Sequence, residues 1–383
     1  MKKWILAAIA AMGIASCENP QQQVQEEFNT LFSEVKQQYA PDSRLAVLKA
    51  EAHVEGNKLI LKGETNKPEA HKALLQEMEQ WNKEIVDSLR LLPAAELGDK
   101  IYGVVNSSVI NFRVRPAYSA GMAKQGLLGE SLKILDKKRD WYLVQTSDDY
   151  LGWANTTTVQ TMTPEEYEAW NKADRIIYTE KVGTAQAIPN EKFPMKNALA
   201  SDLVYGNQLP LLKETAEGFV VAYPDGRTGL VKRSEASKLS EWQKSRNLTT
   251  DNLLKTAYSF MGVPYCWGGN SYKGVDCSGF TGQVYAMNGM QLPRDASLQV
   301  HEGIAVDTVG NFKNLEVGDL LFFGRRTKEG KEKVVHVGMW IGDQQFIHSQ
   351  GNVHISSFDK EDTHYDAYNL GRFLRVKRIL NND

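Results

Sequence analysis

Cysteine is scarce. Three in 383 residues cannot build a disulfide scaffold. Charge of one sign is also missing: 45 Lys and Arg stand against 47 Asp and Glu, a formal net charge of −2. No global basic field exists to hold nucleic acid, so none is expected as a partner. Twelve prolines, 42% hydrophobic and 24% charged residues exclude collagen, coiled coil and wholesale disorder. No apolar run reaches the roughly 20 residues a spanning helix needs. No phosphate loop and no zinc-ligand spacing occurs, so neither a cofactor nor a metal is expected. At roughly 150 residues per domain, the length is that of two or three domains.

What is present begins with an address. Lys2 and Lys3 precede the apolar run Trp4 to Ile14, and Ala15-Ser16-Cys17 follow. A basic start, a short apolar stretch and small residues at the cut form a secretory signal. The stretch GIASC resembles a bacterial lipoprotein box, which implies that Cys17 becomes the lipidated first residue of the mature chain. A plain signal peptide with an incidental cysteine is the alternative. The polar ENPQQQVQEE after Cys17 reads as a tether. The expectation is a soluble, monomeric body outside the cytoplasm, held to a bacterial membrane by its lipid. In a Gram-negative cell that is the periplasmic side of the outer membrane.

The rest divides into α+β modules. Val24, Phe28, Leu31, Phe32 and Val35 fall at helical spacing. SRLAVLKAEAHVEGNKLILKGET alternates and turns at Glu55-Gly56-Asn57, the pattern of a hairpin. Residues 68–92 return to helical spacing. Residues 18–100 are thus expected to form a small α/β module without a cluster of catalytic residue types; His53 and His71 read as solvated or packed. A repeat follows. Shifted by 77 positions, Gly129 lands on Gly206, Gly152 on Gly229, Leu132 on Leu209, Leu135 on Leu212 and Val144 on Val221. Each unit ends in a Trp-bearing helical stretch, near Trp170 and Trp242. Short alternating strands predict two small β-barrels, at 101–170 and 171–245.

The last third, 246–383, carries GVPYCWGGNSYKGVDCSGFTGQVYAMNG, then LPRD, LEVGDLLFFG, HVGMWIG and FIHS. Val275-Asp276 end a Gly-rich loop, and Cys277 opens a helix whose Phe280, Val284 and Tyr285 form an apolar face. A cysteine at a helix N-terminus meets unpaired N–H groups and the positive end of the dipole, which favour thiolate. A thiolate needs a base, usually His. His336 and His348 lie in successive strand candidates, and antiparallel pairing would set both rings on one face. The second would then orient the first, as a triad's third member does. The Cys277 backbone N–H points where an oxyanion would form.

These motifs, in this order, resemble the NlpC family of bacterial cell-wall cysteine peptidases, which implies a papain-like fold with Cys277, His336 and His348 as the catalytic set. The pattern GE-x-hydrophobic, DWYLV, DDYLGW resembles bacterial SH3-like domains. Its second copy departs from it: Gly218-Phe219 stand at the positions of Trp141-Tyr142, and Arg227 at that of Tyr150, so this copy is expected to brace the structure. His301, His354 and His364 match no motif. Cys266 occupies the variable place of Tyr-x-Trp-Gly-Gly and reads as a buried free thiol, with a Cys266–Cys277 disulfide as the alternative.

Two SH3-like domains before this catalytic domain resemble the γ-D-glutamyl-L-diamino acid endopeptidases. That resemblance implies cleavage after D-Glu in the stem peptide L-Ala-γ-D-Glu-diamino acid, with a free N-terminal amine required. Asp276 would hold that ammonium, with Glu130 and Tyr150 of the first barrel closing over it. Tyr265 and Trp267 would line the site, and Ser278 and Arg294 would meet the D-Glu α-carboxylate. Simpler roles stand beside these: Asp276 as helix cap, Glu130 as a solvated strand end, Tyr150 as a barrel-core aromatic. Ala296 stands where the family often has Ser after LPRD, which bears on the D-Glu contacts. Rival functions are a DL-endopeptidase acting on intact N-acylated stems, a wall-binding SH3-like adaptor with a vestigial thiol, and a papain-like transferase or amidase.

Overall fold

The computed structural model describes residues 20–81, 83–194, 198–306 and 312–380. Cys17 and the lipoprotein box lie outside the described residues. The chain forms two compact units, residues 1–92 and 93–383.

In the first unit α1 (Pro20–Tyr39) buries Phe28 and Val35. The strands β1 (Leu48–Glu55) and β2 (Lys58–Thr65) form the expected hairpin. Glu55 pairs with Lys58 across the two-residue turn, whose first residue, Gly56, takes a positive φ of 61°. The helical expectation for 68–92 is only half right. Helix α2 runs over Pro68–Met78, but Glu84–Leu91 is a strand, β3, lying parallel to β2. Parallel neighbours need a crossover, and α2 supplies it. The segment's backbone groups are satisfied by the open edge of β2, 26 residues earlier at Lys58↔Glu84, a partner that local spacing does not reveal. Leu59, Leu61, Ala70, Leu74 and Met78 are fully buried between the helices and this sheet, whose order is β1-β2-β3.

The second unit opens with a seven-stranded barrel-like sheet: β4 (Tyr102–Val105), β5 (Val109–Arg113), β6 (Met122–Leu127), β7 (Ser131–Lys138), β8 (Trp141–Gln145), β9 (Leu151–Asn155) and β10 (Val159–Met162). Helix α3 (Pro164–Lys172) follows, started by a Thr163/Glu166 capping box with Pro164 in its first turn. A second sheet comprises β11 (Arg175–Tyr178), β12 (Val182–Ile188), β13 (Leu199–Val204), β14 (Gln208–Glu214), β15 (Gly218–Ala222), β16 (Thr228–Lys232) and β17 (Ala236–Lys238), then α4 (Leu239–Lys244). The 77-residue shift carries β6 onto β13, β8 onto β15 and β9 onto β16 residue for residue. The strand orders, β10-β4-β7-β8-β9-β5-β6 and β17-β11-β14-β15-β16-β12-β13, correspond strand for strand in chain order. The paired glycines explain the shared signature. Gly129 and Gly206 both hold φ near +90° (87° and 91°), and a Cβ on Gly129 would stand 1.8 Å from the Gln208 carbonyl oxygen. Leu132, Leu209, Val144 and Val221 fill the cores, whereas Leu212 is exposed and does not share the role of the buried Leu135.

The remainder comprises α5 (Thr250–Ser259), the short pair β18 (Asn270–Ser271) and β19 (Gly274–Val275), α6 (Cys277–Ala286) and α7 (Ala296–Gln299). A sheet follows from β20 (Ile304–Val306), β21 (Leu320–Arg326), β22 (Glu332–Gly342), β23 (Gln345–Gln350) and β24 (Asn352–Ser357), then α8 (Ala367–Gly371) and β25 (Phe373–Arg378). The sheet order is β20-β25-β21-β22-β23-β24, and α6 packs on its middle through Phe280, Val284, Val337, Met339 and Ile347.

The barrels join this sheet domain through specific polar contacts. Gln125 of β6 accepts from the backbone N–H of Asn270 at 3.1 Å and from Ser271 Oγ at 2.9 Å. Lys273 Nζ donates to Ser108 Oγ at 2.9 Å and pairs with Asp202 of the second barrel. Arg227 joins the two barrels: it lies over the Tyr223 ring, donates to Asp225 at 2.8 Å, and its Nη2 donates to the Asn106 carbonyl at 2.8 Å. That accounts for a cation where the first copy has Tyr150. Arg227→Ala is expected to lower unfolding stability by about 1–3 kcal/mol through loss of charge-assisted hydrogen bonds, with kcat unchanged, as chemical denaturation and turnover assays would show.

Candidate active site

The nucleophile's position follows from its neighbour. Asp276 is the N-cap of α6 and accepts from the Gly279 backbone N–H at 2.7 Å. Its second oxygen accepts from the Gly268 backbone N–H at 2.9 Å, tying the Gly-rich loop to the helix start. Arg294 then grips both oxygens, Nη1 to Oδ1 at 3.0 Å and Nη2 to Oδ2 at 2.7 Å. Gly279 is required by space alone: a Cβ there would sit 2.0 Å from the Gly269 carbonyl oxygen. Together these fix Cys277 as the first residue of α6, buried to 8% exposure.

Strand β22 passes the sulfur. The backbone N–H groups of Val337 and Ser278 point at Sγ. His336 precedes Val337, and its Nε2 lies 2.8 Å from His348 Nδ1 on the antiparallel neighbour β23. The strand begins four residues before His336, which therefore lies within it. Because Nε2 is engaged by His348, Nδ1 is the nitrogen left to exchange a proton with Cys277.

Burial, and next the Asp276 carboxylate, push the Cys277 thiol up to about 12, against the pull of the two N–H groups. Burial likewise pushes His336 down to about 3, with Arg372 and His354 adding to it, and lowers His348. Burial thus works against the thiolate that the helix N-terminus favours.

The substrate-side residues are distributed differently from expectation. Arg294, with 6% exposure, is the counter-ion of Asp276 and also reaches Ser278 Oγ at 3.1 Å. Neither Arg294 nor the buried Ser278 faces outward to meet a carboxylate. Asp276 is a cap, with both oxygens taken by backbone and guanidinium. Glu130 accepts from the Leu127 N–H at 3.1 Å and lies 3.6 Å from Lys124 Nζ, which also holds Asp148. Burial pushes the Glu130 carboxyl up against the pull of Lys124. With Lys124, Asn270 and Gln291 it lines a cleft of about 480 Å³ that includes neither Asp276 nor Cys277.

Tyr150 is buried, yet it does more than fill the barrel core: its hydroxyl donates to Asp295 Oδ2 at 2.9 Å, across the domain boundary. Asp295 stands at the N-cap of α7 without capping it by its side chain. It is the carboxylate that sequence reasoning missed, although it closes the quoted LPRD motif. Ala296 is buried at the start of α7. Tyr265 is half-buried, its hydroxyl pushed up to about 12 by burial, then by Cys277 and Asp276. Trp267 is 70% exposed at the rim. Cys266 is a free thiol, as expected, but half-buried rather than buried. Among the described residues no cluster of His, Cys, Asp or Glu could hold a metal ion.

Residues 262–372 match the family model described as the NlpC/P60 family, and 112–158 match the bacterial dipeptidyl-peptidase SH3 domain. A Bacillus cereus (strain ATCC 10987 / NRS 248) protein named gamma-D-glutamyl-L-lysine dipeptidyl-peptidase is 30% identical over 280 residues, covering 69% of this chain and 78% of that one. The chain belongs to the NlpC/P60 family. A Bacillus subtilis (strain 168) protein of the same name is 28% identical, over 55% of this chain and 79% of its own. The crystal structure of an NlpC/P60 family protein from Bacillus cereus ATCC 10987 shares the fold, with a TM-score of 0.62 at 24% identity, over 73% of this chain and 100% of that one. The chain is thus a cysteine peptidase of that family, and Cys277, His336 and His348 all lie within the matched residues.

Two expectations follow for this NlpC/P60 site. Arg294→Met leaves Asp276 as a buried, unpaired carboxylate and should cost about 3–5 kcal/mol of stability, measured by denaturant unfolding. The pH dependence has a definite sign. His336 takes up a proton on unfolding between its ordinary 6.5 and about 3, so its contribution to stability is present above 6.5 and falls as pH drops through that window. Cys277 does the reverse: its contribution is present below its ordinary 9 and falls as pH rises toward about 12. Denaturation midpoints should therefore decline on both sides of a neutral plateau, and the high-pH decline should be smaller in Cys277→Ala.

Proposed function

We propose that this peptidase hydrolyses the bond between γ-D-Glu and the diamino acid in peptidoglycan stem peptides that carry a free N-terminal L-Ala. The observation that carries this reading is the Tyr150–Asp295 hydrogen bond. It brings a barrel tyrosine and a carboxylate together one residue from Arg294, the partner of the Asp276 that caps the nucleophile's helix. A carboxylate and a phenol oxygen are suitable partners for a desolvated ammonium, and they offer an N-acyl group no charge to match. In this reading Asp295 takes the role first given to Asp276. Tyr265 and Trp267 flank the peptide beside it. The Bacillus relatives named gamma-D-glutamyl-L-lysine dipeptidyl-peptidase support the same bond.

The chemistry uses this chain's own groups. Cys277 Sγ attacks the γ-carbonyl carbon of D-Glu while His336 Nδ1 takes the thiol proton. The carbonyl oxygen, now negative, meets the first N–H of α6, that of Cys277, which helix geometry leaves unpaired. Collapse breaks the C–N bond, and the His336 imidazolium returns its proton to the departing amine of the diamino acid. Water, deprotonated by His336, then cleaves the thioester and regenerates the thiol. Each chain carries a whole site, so a monomer suffices. With Cys17 lipidated, the peptidase works outside the cytoplasm on peptides released during wall turnover.

The test offers purified protein L-Ala-γ-D-Glu-diaminopimelate and its N-acetylated form, with mass spectrometry following release of the diamino acid and Cys277→Ala as control. Cleavage of the free-amine peptide alone is expected, and Asp295→Asn should raise KM at least tenfold. Equal cleavage of both peptides would make the protein a lysin of intact stems and remove the amine pocket.

A further inference from the structure

The catalytic set does not end at His348. On the far side of that ring Nε2 lies 3.0 Å from Ser356 Oγ of β24, and Ser356 Oγ lies 3.1 Å from Asp366 Oδ2. Asp366 is the N-cap of α8: its Oδ1 accepts the Asn369 backbone N–H at 2.8 Å, and the Asn369 side-chain amide donates to Oδ2. Arg372 in turn donates to Asn369 Oδ1 from Nε at 2.9 Å and from Nη2 at 2.7 Å. His348, Ser356 and Asn369 are all buried. An unbroken line of three hydrogen bonds thus runs from His336 through His348 and Ser356 to a carboxylate.

The direction of every bond in that line follows from its far end. An ionised carboxylate can only accept. Burial opposes the charge on Asp366, but hydrogen bonds from Asn369 and Ser356 outweigh it and hold the carboxyl below its ordinary value. Ser356 has a single hydroxyl proton, which goes to Asp366, so its lone pair must accept from His348 Nε2–H. Neutral His348 then has its lone pair on Nδ1 and accepts from His336 Nε2–H. The remaining lone pair of His336 is forced onto Nδ1, the nitrogen left for Cys277. The other groups about His348 do not hydrogen-bond these nitrogens: the His354 ring lies tilted against it with centroids 4.5 Å apart, the Phe346 ring likewise at 4.9 Å, and Arg372 is engaged by Asn369.

We propose that Ser356 and Asp366 are positioning residues that set the tautomers of both histidines and so keep His336 in the form that can accept the Cys277 proton. The proposal rests on the family's Cys–His chemistry and not on which peptide is cut. Asp366→Asn inverts the line with one atom. With the amide oxygen held at the Oδ1 place by the Asn369 N–H, the new NH₂ turns to Ser356 and displaces the Asn369 side-chain amide that donates to Oδ2 in the wild type. Ser356 must then donate to His348, which moves its proton to Nδ1, and His336 presents N–H instead of a lone pair to the thiol. A misplaced tautomer of this kind is what disables a Ser-His-Asp triad when its carboxylate becomes an amide.

The experiment is ¹⁵N NMR of the substrate-free full chain labelled at histidine, with kcat and KM measured on the tripeptide above. In the wild type both rings should show a protonated Nε2 and an unprotonated Nδ1 at neutral pH. Asp366→Asn should move the His348 proton to Nδ1 and lower kcat about 10–100-fold, as loss of an outer partner of a functional histidine does, with KM unchanged. Ser356→Ala should leave the His348 ring in mixed tautomers and lower kcat, and Ser356→Thr should restore both. Should Asp366→Asn fail to fold, the Ser356 pair decides. Folded variants that keep kcat within twofold, or that lose activity while both ring signatures stay as in the wild type, would overturn the proposal. The ring signatures are read without substrate, so failure to cut the tripeptide would count against the substrate reading and leave this one standing or falling by itself.

Discussion

The buried ion pair between Asp276 and Arg294 holds the site together. Taking two charges out of water costs several kcal/mol per ion, and only excellent geometry with further hydrogen bonds offsets it. Here the geometry is bidentate, and the carboxylate also accepts from the backbone of Gly268 and of Gly279. With Ser278 Oγ added, five donors on one carboxylate bind three separate pieces of chain: the Gly-rich loop, the first turn of α6 and the segment before α7. Cys277 is placed as a consequence. The same carboxylate adds to burial in pushing the Cys277 thiol up.

That arrangement gives the first barrel a catalytic neighbourhood. The segment carrying Arg294 also carries Asp295, and Tyr150 reaches Asp295 from the barrel. Gln125 holds the loop of Asn270 and Ser271 from the same barrel. The second barrel meets the same loop through Asp202, which pairs with Lys273. Its Arg227, where the first has Tyr150, spends its hydrogen bonds on Asp225, Ala200 and Asn106. One strand plan is thus used twice, and the side chains at its repeated position, Tyr150 and Arg227, take different partners.

Much of this was legible in residue patterns, for reasons that differ by element. The 77-residue repeat could be read because it reflects backbone need: Gly129 and Gly206 must take positive φ. Cys277 at a helix start, and the two histidines on adjacent strands, could be read because each motif carries its own local geometry. The strand at Glu84–Leu91 was misread because its hydrogen-bond partner is an edge 26 residues away. Arg294 and Asp276 were each given to the substrate, since a sequence shows charges but not that two of them neutralise one another. Ser356 and Asp366 were passed over because nothing in their immediate surroundings sets them apart from other polar residues, and Asp295, though it closes LPRD, because its partner Tyr150 lies 145 residues away.

The sequence by itself determined the class of chemistry, the family resemblance, the order of the modules and the place of Cys277 at a helix start with two histidines on adjacent strands, because these depend on residue type and short spacing. Only the tertiary structure decided how deeply Cys277 and His336 are buried, the partner of Asp276, the carboxylate that Tyr150 touches and the line of hydrogen bonds behind His348. Those depend on burial and on which distant donors and acceptors meet. Desolvation and hydrogen-bond direction are properties of the packed whole, and no stretch of chain carries them alone.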